Sequence, residues 1–390
     1  MARSIDGSGI DKVLQDAVGS GALPHVAAIA ADADGVLYEG GAGVRVAGES
    51  DDPVDTSTTF RIMSMTKMVC TTAALQQVEH GELDLAAPVE DYCPEFADLE
   101  VLEGFDGDEP ILVEPRSRAT VHQLVTHTTG LGYWFWNEQL VKYEAATGIP
   151  NVVPGSAQAL TAPLTAHPGE SFVYGINTDW LGKVVEAVAG KKLDEVVDEG
   201  IAGPLGMTST TFHPDDAQRD QAVMVHVKGE DGAWASAGSI LNPQPDWWAG
   251  GHGLYSTPRD YIRFERALLR GGELDGVRIL RQETVDAAFS NQIGDLDFPA
   301  EIPTADPATT ASFNAGPGWK WGYGLLLNTV DVPGRRRAGT GAWAGLFNTH
   351  FFIDRTTGVC ASIYTNSLPF VTPEAFGVYG AFEEALYAAL

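Results

Sequence analysis

The sequence predicts an α/β (α+β) fold in which an antiparallel sheet takes strands from both chain ends, helices flank it, and a mostly helical segment is inserted between. Two patterns carry this expectation. Residues 25–31 and 36–46 are apolar and β-rich, and Asp32-Ala33-Asp34-Gly35 between them marks a hairpin. Toward the other end, residues 324–330, 346–354 and 359–365 have the same strand character, and 373–390 reads as a closing helix. One sheet built from both groups, with helices packed on it, accounts for all of them.

The middle has a different texture. Residues 121–126, 177–189 and 193–201 show helical apolar spacing. Residues 103–118, 133–160 and 290–317 are rich in Gly, Pro, Asp and Asn and read as long ordered loops over a site. The expected division is a discontinuous sheet-bearing domain, 1–88 with 252–390, and a helical insertion, 89–251, with the active site in the cleft between them.

Charge narrows the function. With 24 Lys and Arg against 53 Asp and Glu, the net charge of -29 argues against nucleic acid or an anionic membrane as partner. The same field repels anionic substrates unless a local cation offsets it. No basic start followed by an apolar stretch occurs at the N-terminus, and no run reaches membrane-spanning length, so the chain reads as cytoplasmic. Cys70, Cys93 and Cys360 are odd in number and widely spaced, which suits buried reduced thiols. His122 and His127 match no metal-ligand spacing, and neither a metal nor a cofactor is expected. The acid-rich stretch 91–109 reads as solvated loop rather than a glycosidase carboxylate pair. Oligomeric state leaves no signature.

Chemistry concentrates at Ser64-Met65-Thr66-Lys67, which opens an apolar helical run. Residues three apart share a helix face, so Lys67, if partly neutral, can take the Ser64 proton. Tyr174, after the turn-like Pro168-Gly169-Glu170, can relay a proton to a leaving group and titrate as a pair with Lys67. In Gly341-Ala342-Trp343-Ala344-Gly345-Leu346, small residues leave room for a substrate, and the N–H of Leu346 with that of Ser64 would make an oxyanion hole. Asn177, Trp134, Trp248, Trp343, Ala344 and Gly345 are the expected substrate contacts. Each has an ordinary alternative: chance spacing for the Ser-Lys pair, packing for Tyr174, interface filling for the tryptophans. A Ser-His-Asp hydrolase is disfavoured because no GxSxG elbow occurs.

Taken in order, these motifs resemble the serine β-lactamase and penicillin-binding superfamily, in its class C-like branch. Phe60-Arg61-Ile62-Met63-Ser64-Met65-Thr66-Lys67 is similar to the family's nucleophile segment, and Val121-His122-Gln123-Leu124-Val125-Thr126-His127-Thr128-Thr129-Gly130-Leu131 to a family landmark. Pro204-Leu205-Gly206-Met207 and Gly250-Gly251-His252-Gly253-Leu254-Tyr255-Ser256-Thr257 match two more. The resemblance implies a β-lactamase-like fold, with Ser64 as nucleophile and Lys67 and Tyr174 as general base and acid. It also selects a branch. Trp343-Ala344-Gly345 stands where class C β-lactamases carry Lys-Thr-Gly, and Ile176 where they carry an asparagine, which is similar to family VIII carboxylesterases. Gly339-Thr340-Gly341 offers an alternative alignment for the third motif. The implied substrate is a small ester; acyl transfer, weak β-lactamase activity and a silent ligand-binding role are the alternatives.

Overall fold

The computed structural model describes residues 4–239 and 245–390. Seven strands form the central sheet: β1 (His25–Asp32), β2 (Val36–Gly43), β3 (Lys320–Trp321), β4 (Leu326–Leu327), β5 (Gly341–Gly345), β6 (Thr349–Asp354) and β7 (Val359–Tyr364). They pair antiparallel in the order β3-β4-β5-β6-β7-β1-β2. Five helices matter below: α1 (Ser8–Gly19), α2 (Thr66–His80), α3 (Asn177–Ala189), α4 (Pro258–Leu269) and α5 (Pro373–Ala389).

The sheet is covered on both sides, and β1 shows why. It is buried along its whole length, with an alanine-rich sequence in place of apolar-polar alternation. Val26, Ala28 and Ala30 join Ile10 and Leu14 of α1 and Phe382 and Leu386 of α5 in one apolar layer. Ala27, Ile29 and Ala31 belong to the larger core on the other face, with Ile262 of α4 and Met68 and Val69 of α2. Each large side chain so buried contributes about 1.5–3 kcal/mol. Residues Thr66 to Gln77 of α2 are all buried, so this helix runs through the interior and delivers its N-terminus to the cleft.

Several elements depart from the sequence expectation. The segment 346–354 is not a strand throughout: Leu346 lies in the turn between β5 and β6, and Gly341–Gly345 is itself a strand. Glycine and alanine give it little intrinsic β preference, and pairing with β4 and β6 on both edges supplies what propensity lacks. Helix α1 was not anticipated, although Ile10, Leu14 and Ala17 have its spacing. The loop expected at 103–118 is mostly a hairpin, Val101–Asp106 with Glu109–Val113, and 133–160 contains the helix Glu138–Thr147, capped by Asn137. Helix α3 spans the expected residues. The expected helix 193–201 runs as Leu193–Val197 and continues in the wider turn Asp198–Ala202.

The central part of the chain meets the sheet-bearing part where α2 packs on α3 and where Val225–Lys228 pairs in parallel with Ser367–Leu368. All three cysteines are free and buried. Among the described residues no helix is long and apolar enough to cross a membrane.

Candidate active site

The chain enters the site on a two-residue strand, Phe60–Arg61, paired with Tyr255–Ser256. It then reverses at Met63, whose φ is 48°. A left-handed backbone costs a non-glycine residue about 1–2 kcal/mol, and it persists only where the surroundings enforce it. Here they do. The Tyr261 hydroxyl donates to the Met65 carbonyl at 2.9 Å, the Leu254 N–H to Thr66 Oγ1 at 3.1 Å, and the Thr349 hydroxyl to the Ile62 carbonyl at 3.2 Å. The turn leaves Ser64 at the head of α2. Gly345, expected to make room for substrate, instead makes room for this turn: a β-carbon there would lie 2.3 Å from the Ile62 carbonyl oxygen.

Lys67 is 1% exposed. Its Nζ lies 3.2 Å from Ser64 Oγ and donates to the Tyr133 oxygen at 3.0 Å and the Gly251 carbonyl at 2.9 Å. The roles are constrained by what each partner can do. A carbonyl only accepts, and Tyr133 gives its own proton to Asp179 Oδ2 at 3.3 Å, so two Lys67 N–H groups are assigned. The third position of the nitrogen faces Ser64, as an N–H in the ammonium and as a lone pair in the amine. Burial pulls the Lys67 pKa down to about 8, with Asp179 opposing. Asp179 is fully buried and accepts the Gly251 N–H at 2.8 Å. Only glycine fits at 251, because a β-carbon would come within 2.6 Å of that carboxylate.

Tyr174 stands on the other side of Lys67. The ammonium nitrogen is 4.8 Å from its ring centre and 5.0 Å from that of Tyr133. The Tyr174 oxygen accepts the Trp343 indole N–H at 2.9 Å and also engages the Ser64 hydroxyl. Burial pushes its pKa above the ordinary phenol value, while the bonds from Ser64 and Trp343 work against that rise. Tyr133 is driven well above the ordinary value by burial and then by Asp179 and Tyr174. His127 backs Tyr174, ring centres 4.8 Å apart, and burial and then Lys67 keep it neutral.

Of the residues expected at the site, Ser64, Lys67, Tyr174 and Trp343 come together. Ser64, Leu346 and Trp134 share the wall of a cleft of about 540 Å³ with Met63 and Tyr133. Trp343 and Ala344 open instead onto a neighbouring apolar cavity of about 960 Å³. Trp248 lies in a third cavity, its ring 4.0 Å from that of His213. Asn177 is not a cleft residue: it is fully buried, and its amide accepts from the Thr129 hydroxyl and donates to the Leu131 and Val173 carbonyls. In the alternative third motif, Thr340 is 1% exposed and its hydroxyl donates to the Arg337 carbonyl.

Tyr133 and Asp179 went unrecognised in the sequence, and Gly251 was read only as part of a family landmark. Tyr133 sits two residues beyond the landmark that ends at Leu131, and Asp179 is the acid in a buried first turn, Asn177-Thr178-Asp179-Trp180. That buried carboxylate was the available signal.

This arrangement defines a serine-hydrolase-type enzyme, and the chain belongs to the beta-lactamase family, whose profile matches residues 10–385. It is 34% identical to the lovastatin esterase of Penicillium rubens over 90% of both chains. It is 30% identical to the monacolin J acid methylbutanoyltransferase of Aspergillus terreus, covering 97% of this chain and 95% of that one. A mutant of the simvastatin synthase from Aspergillus terreus superposes with a TM-score of 0.83 at 28% identity, covering 97% of this chain and 94% of its own.

Proposed function

We propose that the protein is a carboxylesterase that passes through an acyl-enzyme on Ser64. The observation that carries this is the Lys67 nitrogen, with two of its three positions fixed by Tyr133 and Gly251 and the third aimed at Ser64 Oγ. Neutral Lys67 takes the serine proton as Oγ bonds to the ester carbonyl carbon. The N–H groups of Ser64 and Leu346 hold the oxyanion. Tyr174, a neutral phenol engaging Ser64, gives its own proton to the departing alkoxide as the ester C–O bond breaks, and the proton held on the Lys67 ammonium then restores the phenol and leaves the amine neutral. Water then takes the place of the alcohol and frees the acid. Esters are favoured over lactams because Trp343 occupies the place of a carboxylate-binding lysine and is committed to Tyr174. The expected substrate is a small ester.

The relative that is a methylbutanoyltransferase supports a second outcome of the same acyl-enzyme, transfer to an alcohol. One experiment separates these readings. Incubation with 4-nitrophenyl butyrate should release nitrophenol, place a butyryl mass on Ser64, and fail in Ser64→Ala. Added alcohols that divert the acyl group into new esters would mark a transferase. Turnover that survives Ser64→Ala would refute the mechanism.

A further inference from the structure

In a chain of net charge -29, a cation without a counter-ion is conspicuous. Arg61, three residues before Ser64, is mostly withdrawn from solvent on the wall of a small cavity. Its Nη1 donates to the Tyr255 hydroxyl at 2.9 Å, and its guanidinium carbon lies 4.8 Å from the centre of the same ring. Its Nε has no acceptor, and no carboxylate pairs with it among the described residues. Arg336 shows how this protein otherwise buries a guanidinium: Glu383 receives bonds from its Nε and Nη2. Burial works against the charge on Arg61, and only the Tyr255 oxygen opposes that.

One more donor on the same cavity lacks a partner. Trp247 Nε1 belongs to a side chain 7% exposed and is unbonded, whereas His252 Nδ1 on the same wall lies 3.6 Å from the Asp179 carboxylate. Buried donors left unmet are costly, and the Arg61 and Trp247 N–H groups on one cavity, with Arg219 (paired to Asp216) also on its wall, call for an acceptor from outside the chain, which the guanidinium charge makes an anion. Phe212 and Trp248 give the cavity an apolar side.

The cavity adjoins the nucleophile's cleft. Val152, Val153 and His252 line both it and the Ser64 cleft. Neither Tyr174 nor Trp343 borders it. Since the departing oxygen must meet the Tyr174 proton, the alcohol half of an ester leaves on the Tyr174 side and the acyl half extends toward Arg61. We infer that the Arg61 cavity receives a free carboxylate on the acyl half of the substrate, which makes half-esters of dicarboxylic acids the preferred class. A guanidinium fork matches a carboxylate with two parallel hydrogen bonds. This assignment rests on the esterase reading above and names its substrate.

The test compares mono-4-nitrophenyl adipate with the neutral 4-nitrophenyl hexanoate. Wild type should favour the half-ester in kcat/KM by about tenfold, the range expected of one charge-assisted contact. Arg61→Met should abolish that preference while hexanoate turnover stays within about twofold. Equal rates in wild type, or equal losses on both esters in Arg61→Met, would overturn the assignment. Should Arg61→Met not fold, Arg61→Lys decides: a KM rise confined to the half-ester supports the site, and no selective rise refutes it. If neither ester is cleaved, the esterase reading fails by itself, and calorimetric titration of adipate judges the cavity. Binding to wild type that is lost in the folded Arg61 variant supports the assignment; no binding, or binding unchanged by the substitution, rejects it.

Discussion

Lys67 is flanked by two tyrosines at nearly equal range, and although burial raises the pKa of both, the groups at their hydroxyls differ. Tyr133 donates to Asp179, and burial first and then that carboxylate hold its phenol neutral. Tyr174 has no acid at its hydroxyl; it receives the Trp343 N–H and meets Ser64, contacts that favour its ionised form. The lesson is that proximity to the base does not assign a role. On the Asp179 side the chain builds a fixed support that aims the amine, and on the Trp343 side it builds a group able to exchange a proton.

Substitutions can sharpen this contrast. Ser64→Ala removes the centre both sides serve, and ester turnover should fall by at least about a thousandfold, measured as nitrophenol release. Tyr174→Phe should lower kcat by about a hundredfold or more with little change in KM, as expected for loss of proton transfer. Tyr133→Phe leaves the ring in place and removes one Lys67 acceptor, and a loss of about tenfold is expected. A larger loss at Tyr133 than at Tyr174 would exchange their roles.

The pH profile tests the Asp179 side directly. With a pKa of about 8, only roughly a tenth of Lys67 is neutral at pH 7, so kcat/KM should climb as pH rises through 8. Asp179 raises that pKa; its charge removed in Asp179→Asn, the amine deprotonates more easily and the limb should move to lower pH by about one unit. The asparagine keeps an oxygen for the Gly251 N–H. Trp343→Phe should have the smallest effect, a few-fold loss, with any alkaline limb from Tyr174 displaced upward because a donor that favours the phenolate is gone.

Much of this could be read from the chain, for physical reasons that differ by element. Ser64 and Lys67 are close in sequence, on a single turn that runs into α2, so their spacing allowed the contact and the surrounding landmarks pointed to it. The hairpin of β1 and β2, helix α3 and helix α5 were legible because their apolar patterns are local. Strand β5 was not, because its identity comes from neighbours on both edges rather than from its glycines and alanines. Asp179 and Gly251 are remote from Lys67 in sequence, and each is ordinary until the fold brings them together. Asn177 misled for the complementary reason: a polar residue near a tyrosine motif can be a bolt between loops. Gly345 reflects the same limit, since what needs its missing side chain is a carbonyl from residue 62.

The seating of β1 between β7 and β2 also has a consequence for synthesis. Ala27 lies opposite Gly41 on one edge and Tyr364 on the other. A growing chain can close the first edge as soon as the hairpin emerges, but the second stays open until residues 359–364 have left the ribosome. The nucleophile turn waits as well, because Gly345 and Thr349 hold Ile62. Chains interrupted before residue 345 would therefore carry the catalytic serine without its clamp and a naked apolar strand edge, a species fit for aggregation rather than for chemistry.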